Sequence, residues 1–235
     1  MAAPMNEDDL VSGASSDITS KHEFLYKVLV VGEFGVGKTS IIKRYTEGFF
    51  SPNYKLTIGV DFALKTLQWD EHTKVNLQLW DIAGHERFGH MTRVYYKYAI
   101  GAIIVFDLSR PATFDSVIKW LNDVNSKVML ANGDPVPIIL LANKCDLDDC
   151  EIDEKSIAAF VQQNNLLGWF ATSAKLDHNI DECMRFIVQR IIELPSEGVK
   201  PVEHIKLMDS TEYLNCDLND EEPPVTKRKH VCCDL

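Results

Sequence analysis

The 235-residue chain has no apolar run near the ~20 residues that a membrane-spanning helix needs. It has no excess of positive charge either. The formal net charge is −11, so the basic surface of a nucleic-acid binder is not expected. Cysteine is scarce, with six in all: Cys145, Cys150, Cys183, Cys216, Cys232 and Cys233. No pair stands at C-x-x-C spacing, and no histidine spacing completes a zinc site. Cys145 and Cys183 read as small, reduced residues of a cytosolic protein, with a Cys145–Cys150 disulfide as the alternative. Met1-Ala2-Ala3-Pro4 lacks the charged and apolar regions of a secretory signal, and there is no second-position glycine for myristoylation. What is present is 46% apolar residues, ordinary for a folded soluble chain. The length suits one medium domain with tails.

Residues 32 to 39 read Gly-Glu-Phe-Gly-Val-Gly-Lys-Thr, the G-x-x-x-x-G-K-[ST] pattern. The apolar run Tyr26-Lys27-Val28-Leu29-Val30-Val31 precedes it as a buried strand, and Ile41-Ile42-Lys43-Arg44-Tyr45 follows as the start of a helix. That context makes a phosphate-binding loop. Glycines let successive N–H groups turn inward on one anion, and the helix N-terminus adds partial positive charge. The backbone of Gly35, Val36, Gly37, Lys38, Thr39 and Ser40 is expected to cradle the phosphates. Lys38 would reach the β- and γ-phosphates, and the Thr39 hydroxyl would hold Mg²⁺.

Asn143-Lys144-Cys145-Asp146 follows the apolar run 136–142 and names the base. A carboxylate at Asp146 can accept from guanine N1–H and the exocyclic amine. Adenine lacks that donor pair and would leave a buried carboxylate unpaired. Buried recognition of this kind discriminates by about 10⁴ or more. Asn143 would steady the loop, and the stem of Lys144 would lie over the base. Downstream, Thr172-Ser173-Ala174-Lys175 would turn the Ala174 N–H toward guanine O6.

Trp80-Asp81-Ile82-Ala83-Gly84-His85-Glu86-Arg87-Phe88 closes the strand-like run 75–80. Asp81 is placed to bind Mg²⁺ through water, and the Gly84 N–H to sense the γ-phosphate. Upstream, Thr57 offers Mg²⁺ a hydroxyl and the γ-phosphate an N–H. The bond to the γ-phosphate exists only while that phosphate is present, so it can gate two loops.

Together these segments resemble a small GTPase of the Ras superfamily, specifically a Rab, over roughly residues 24–194. Ile58-Gly59-Val60-Asp61-Phe62, Leu77-Gln78-Leu79-Trp80, Arg87-Phe88, Tyr95-Tyr96-Lys97 and Ile104-Val105-Phe106-Asp107 match Rab-type signatures. Ile82 and Asn132-Gly133 resemble the Rab subgroup serving lysosome-related organelles. The resemblance implies a monomeric GTP/GDP switch with Mg²⁺, in which His85, Lys38, Thr57 and Gly84 take part in hydrolysis. It also implies an exchange factor, a TBC-type activating protein, effectors, a Rab escort protein and a GDP-dissociation inhibitor. Phe62, Trp80 and Tyr95 match an effector-facing triad, although aromatics flanking two switches could equally be core.

Two residues depart from the family pattern. His85 stands where the family carries the glutamine that orients the attacking water. Its donor and acceptor lie on different sides of a rigid ring, so slow intrinsic hydrolysis is expected. An activating protein that supplies a glutamine in trans would make the change harmless. Phe34 stands where most Rabs have serine; its ring either crowds the γ-phosphate or packs outward over a switch. A chain held in the GTP form, acting as a non-hydrolysing scaffold, is the alternative to a cycling switch.

The expected organisation is a lead over 1–23, rich in Asp, Ser and Ala and disordered, a G domain over 24–194, and a flexible tail over 195–235. Strand-like runs fall near 25–31, 60–69, 74–80, 100–107, 136–142 and 168–171. Two helical stripes, Phe114, Val117, Ile118, Leu121, Val124, Val128 and Ile180, Cys183, Met184, Ile187, Ile191, read as core. The alternation predicts a three-layer α/β fold, a six-stranded, mostly parallel sheet with helices on both faces. The strand near 60–69 would be the antiparallel one. The linker 195–231 would span roughly 35 Å. The ending Lys227-Arg228-Lys229-His230-Val231-Cys232-Cys233-Asp234-Leu235 resembles a double-geranylgeranylation site. Two lipids there, with the basic residues, would hold the protein on the cytoplasmic face of intracellular membranes.

Overall fold

The computed structural model describes residues 22–53, 55–84, 92–150 and 152–195. The expected lead before residue 22, His85, the tail beyond residue 195 and the lipidation site at Cys232 and Cys233 lie outside the described residues.

Six strands form one sheet: β1 (His22–Val31), β2 (Val60–Gln68), β3 (Thr73–Ile82), β4 (Gly101–Asp107), β5 (Ile138–Asn143) and β6 (Gly168–Thr172). Their spatial order is β2-β3-β1-β4-β5-β6. Among these six strands of the described residues, only β2 runs antiparallel, against β3; the other strand pairings are parallel. The helices are α1 (Lys38–Glu47), α2 (Thr92–Tyr96), α3 (Pro111–Asp115), α4 (Val117–Lys127), α5 (Glu154–Gln163) and α6 (Ile180–Ile192). This is the expected doubly covered, mostly parallel architecture.

Period-2 alternation assigns the two faces. Val28, Val30, Ile103, Val105, Ile139 and Leu141 pack with Ile41, Tyr45, Met184 and Ile187 of α1 and α6. Leu29, Val31, Ile104, Phe106, Leu140 and Ala142 pack with Tyr96, Trp120, Leu121 and Ile157 of α2, α4 and α5. Every residue of β4 and β5 is buried. That is why both read as apolar runs up to their last residues, Asp107 and Asn143.

Three local readings need correction. β1 begins at His22, inside the segment expected to be a lead. Parallel pairing His22↔Thr73 and Glu23↔Lys74 extends it, and Glu23 accepts from Asn76 Nδ2 at 2.6 Å and pairs with Lys74 at 3.1 Å. β5 starts at Ile138 rather than 136, since Pro137 has no N–H for the ladder; its carbonyl accepts from Ala102 N at 3.0 Å. Ile118 is 40% exposed, on the outer side of α4, while Trp120, absent from the stripe, is buried.

Candidate functional site

The carboxyl ends of β1, β3, β4, β5 and β6 deliver their loops to one edge of the sheet, where such folds bind ligands. The loop after β1 enters α1 through Gly37 at φ 101, a left-handed conformation that a side chain resists. A Cβ at Gly37 would also lie 2.3 Å from Asn143 Nδ2. Asn143 needs that space, because it donates to Val36 O at 2.8 Å and so ties the base loop to the phosphate loop. The Val36 side chain itself is core. Ser40 follows in α1, half-buried. Lys38 is buried and donates to Gly32 O at 2.8 Å and Glu33 O at 2.9 Å. Burial pushes its ammonium down to about 8, against the pull of Asp81 and Glu33.

Thr39, Thr57 and Asp81 converge. The Thr39 hydroxyl donates to Asp81 Oδ2, the Thr57 hydroxyl reaches the same oxygen at 3.2 Å, and the two hydroxyls lie 3.0 Å apart. Asp81 is 2% exposed, and its Oδ1 has no hydrogen-bond partner among the described residues. Burial raises its carboxyl above the ordinary range, despite Thr39 and Lys38. One carboxylate and two hydroxyls, all oxygen, with a buried charge wanting compensation, fit a hard divalent cation such as Mg²⁺.

The base loops also meet. Asp146 accepts from Ser173 Oγ at 2.7 Å and faces Lys175 Nζ at 3.4 Å. Burial acts to raise its carboxyl, but Ser173 and Lys175 outweigh it and hold the group below the usual range. Asp146 is therefore an ionised acceptor. Thr172 Oγ1 donates to Asn143 Oδ1 at 3.3 Å, locking the two loops. Arg44 of α1 donates through Nε to Ala174 O at 2.9 Å and through Nη2 to Lys175 O at 3.1 Å. Lys144 sits at φ 67 with its ammonium 2.6 Å from Asp107 Oδ2. Its head is thus fixed on β4, while the sequence had placed only its stem.

Sequence reasoning gave Asp107, Arg110, Arg44 and Thr172 no role. Asp107 carried a usable signal, as a charge ending an otherwise apolar central strand. The contacts of Arg44 and Arg110 with the nucleotide loops carried none, because there each bonds to backbone carbonyls far away in sequence.

The segments flanking the two switches are joined as well. Ala83 N donates to Gly59 O at 3.0 Å. Gly84 lies so close to the phosphate loop that a Cβ there would stand 2.4 Å from Phe34 N. The Phe34 side chain is 41% exposed. Phe62 and Trp80 are register partners on β2 and β3, with rings stacked 5.8 Å apart. Lys27 Nζ lies 3.6 Å from the Trp80 ring centroid. Phe62 is 62% exposed, whereas Trp80 and Tyr95 are partly buried against the second core cluster.

Residues 27–193 match the sequence profile of the Ras family. The chain is 60% identical over 185 residues to "Ras-related protein Rab-32B" of Dictyostelium discoideum, covering 79% of this chain and 71% of that protein. It is 52% identical over 227 residues to "Ras-related protein Rab-32" of Mus musculus, covering 94% and 96%. Against "Ras-related protein Rab-7L1" of Homo sapiens it is 45% identical over 193 residues, covering 82% and 93%. A profile match over most of the chain, relatives 45–60% identical over 71–96% of their own length, and a site in which phosphate, base and switch motifs meet at one sheet edge lead to one assignment: the chain belongs to the Rab family of Ras-type small GTPases.

Proposed function

We propose that this GTPase is a membrane-trafficking switch on the cytoplasmic face of lysosome-related organelles, with slow intrinsic hydrolysis. The observation that carries the switch is the Thr57 hydroxyl, bonded to Thr39 and Asp81 beside the phosphate loop. A first-switch residue held there can answer to the nucleotide's state. The organelle rests on the sequence resemblance and on relatives named Rab-32 and Rab-7L1.

GTP is the substrate, and GDP and phosphate are the products. Gly35 to Ser40 bind the phosphates through backbone N–H groups at the start of α1. Lys38 brings a cation that burial has already stripped of most of its water. Asp146 and Ser173 orient the base, and Asn143 keeps the base loop in register with the phosphate loop. Thr39, Thr57 and Asp81 would hold Mg²⁺, which supplies charge compensation for the phosphates. The segment at Gly84 rests on the Glu33–Phe34 backbone, so a γ-phosphate bound at the loop has a direct route to the second switch. Loss of that phosphate releases both segments, and with them the effectors. Exchange factor, TBC-type activating protein, escort protein and GDP-dissociation inhibitor complete the cycle as in other Rabs.

His85 sets the slow step. A neutral imidazole cannot present a donor to phosphate and an acceptor to water from one edge, as a glutamine amide can. Single-turnover hydrolysis of GTP by wild type and His85→Gln tests this. The expected gain in the variant is about 10- to 100-fold, equivalent to ~1.4–2.7 kcal/mol of barrier. Equal, ordinary rates would remove the brake. Equal inertness would move the cause to Phe34, whose half-exposed ring stands on the phosphate loop; that outcome favours the GTP-locked scaffold.

A further inference from the structure

Four carbonyls of the phosphate loop accept from side chains. Lys38 serves Gly32 and Glu33, Asn143 serves Val36, and Arg110 serves Phe34 through Nη2 at 3.0 Å. Lys38 and Asn143 belong to the nucleotide motifs. Arg110 does not. It precedes α3, in the turn after β4, and a Cβ on Gly35 would lie 3.6 Å from its Nη2. The guanidinium therefore rests against the Phe34–Gly35 peptide itself.

Two features make Arg110 a fixed donor. Its Nε donates to Asp107 Oδ2 at 2.8 Å, and its backbone is pinned in a turn, with Arg110 N on Asp107 O at 3.0 Å and Thr113 Oγ1 on Arg110 O at 2.7 Å. The Asp107 side chain is 1% exposed. It also accepts from Ser109 N at 3.0 Å, Ser109 Oγ at 2.7 Å and Lys144 Nζ at 2.6 Å. Burial works to raise its carboxyl; Lys144, Ser109 and Arg110 prevail and hold it below the usual range. The brace is thus a buried, ionised carboxylate with its lone pairs filled. Next along the loop, Trp120 Nε1 of α4 donates to Glu33 Oε1 at 3.2 Å, so the neighbouring residue is held too.

No peptide bond among the described residues is cis. In a trans peptide the N–H points opposite to the C=O. A donor that draws the Phe34 carbonyl to its own side turns the Gly35 N–H to the other side of the loop. We infer that Arg110, braced by Asp107, is a positioning residue for nucleotide retention: it fixes the Phe34–Gly35 peptide so that the Gly35 N–H faces the bound phosphates. The inference rests on the guanine-nucleotide reading of this site. Without Arg110 that peptide can rotate, and the cradle loses a preset donor.

The test uses the full chain loaded with fluorescent GDP and chased with excess GDP. Wild-type loading comes first; failure to load overturns the site and this inference with it. Arg110→Ala is expected to speed release about five- to tenfold, allowing for the exposed side of the guanidinium. Arg110→Lys keeps a cation able to donate to Phe34 O and is expected to recover most of the retention. Inosine diphosphate lacks the amine that Asp146 reads, and its release is expected to accelerate by the same factor, since Lys144 stays paired with Asp107. Unchanged release in Arg110→Ala overturns the proposal. So does Arg110→Lys releasing as fast as Arg110→Ala, which marks a packing role. Different factors for the two nucleotides would place the effect in the base loop and overturn it as well.

Discussion

Lys38 shows what burial does to a working charge. Its ammonium falls to about 8 because the loop removes it from water. In the unfolded chain the group titrates near the ordinary lysine value of about 10.4. Between those values the unfolded state binds more protons, so this group alone makes stability rise with pH through that window. Nucleotide binding has the opposite sign. The phosphates need the cation, so affinity is expected to hold below the shifted pKa of about 8 and to weaken as pH passes it. Measuring GDP affinity from acid to alkaline pH, beside a Lys38→Arg variant whose guanidinium stays charged, isolates the lysine from the titration of guanine. Parallel curves for the two proteins would defeat the explanation. Lys38, Asp81, Asn143 and Asp146 were legible in the sequence because each combines a residue type with a short, fixed spacing from a strand end. Arg44 and Arg110 were not. They bond to the carbonyls of Ala174 and Phe34, 130 and 76 positions away, and a carbonyl has no letter of its own.

At the scale of elements, what was legible was what burial forces on composition. β4 and β5 are covered on both faces, so nearly every position had to be apolar. α6 turns Cys183, Met184, Ile187 and Ile191 inward at helical spacing. What escaped depended on neighbours: the extension of β1 needs β3 beside it, and the exposure of Ile118 depends on how α4 is rolled against the sheet. The aromatic group is a mixed case. Phe62 projects from the edge strand β2 and is stacked on Trp80 of β3, over whose ring lies Lys27 of β1, the strand on the other side of β3. Phe62→Ala removes an exposed ring, so the thermal midpoint and nucleotide retention are expected to stay near wild type. Affinity for GTP-dependent binding partners is expected to weaken by ~2 kcal/mol or more, the scale of an aromatic hot spot, and is read as loss of their capture from a cell lysate. Tyr95→Ala should do both, lowering capture and stability, because that side chain is partly in the core. If Phe62→Ala released nucleotide as well, the ring would be holding the fold rather than meeting a partner.

For the whole molecule the question is how a chain of net charge −11 would be held on an anionic membrane surface, as the proposed function requires. No helix among the described residues is long and apolar enough to cross a bilayer. The lipid sites expected at Cys232 and Cys233 would have to supply the anchor. One acyl-type chain gives marginal, reversible binding, while two give a stable anchor. Lys227, Arg228 and Lys229 add about 1 kcal/mol each near the surface, and the acidic remainder of the chain works against them. The single variants Cys232→Ser and Cys233→Ser are therefore expected to partition weakly and to be released by high salt, which screens the basic cluster. The double variant is expected wholly in the soluble fraction. All three should load GDP like wild type, because the residues that meet at the nucleotide site all lie between 32 and 175, far along the chain from the cysteines. Fractionation of cells expressing each variant, with mass spectrometry of the C-terminal peptide, reads both halves of the argument. Two isoprenoid masses on wild type with salt-resistant binding support double anchoring. An unmodified C-terminal peptide on membrane-bound protein would show that something other than lipid holds the chain there.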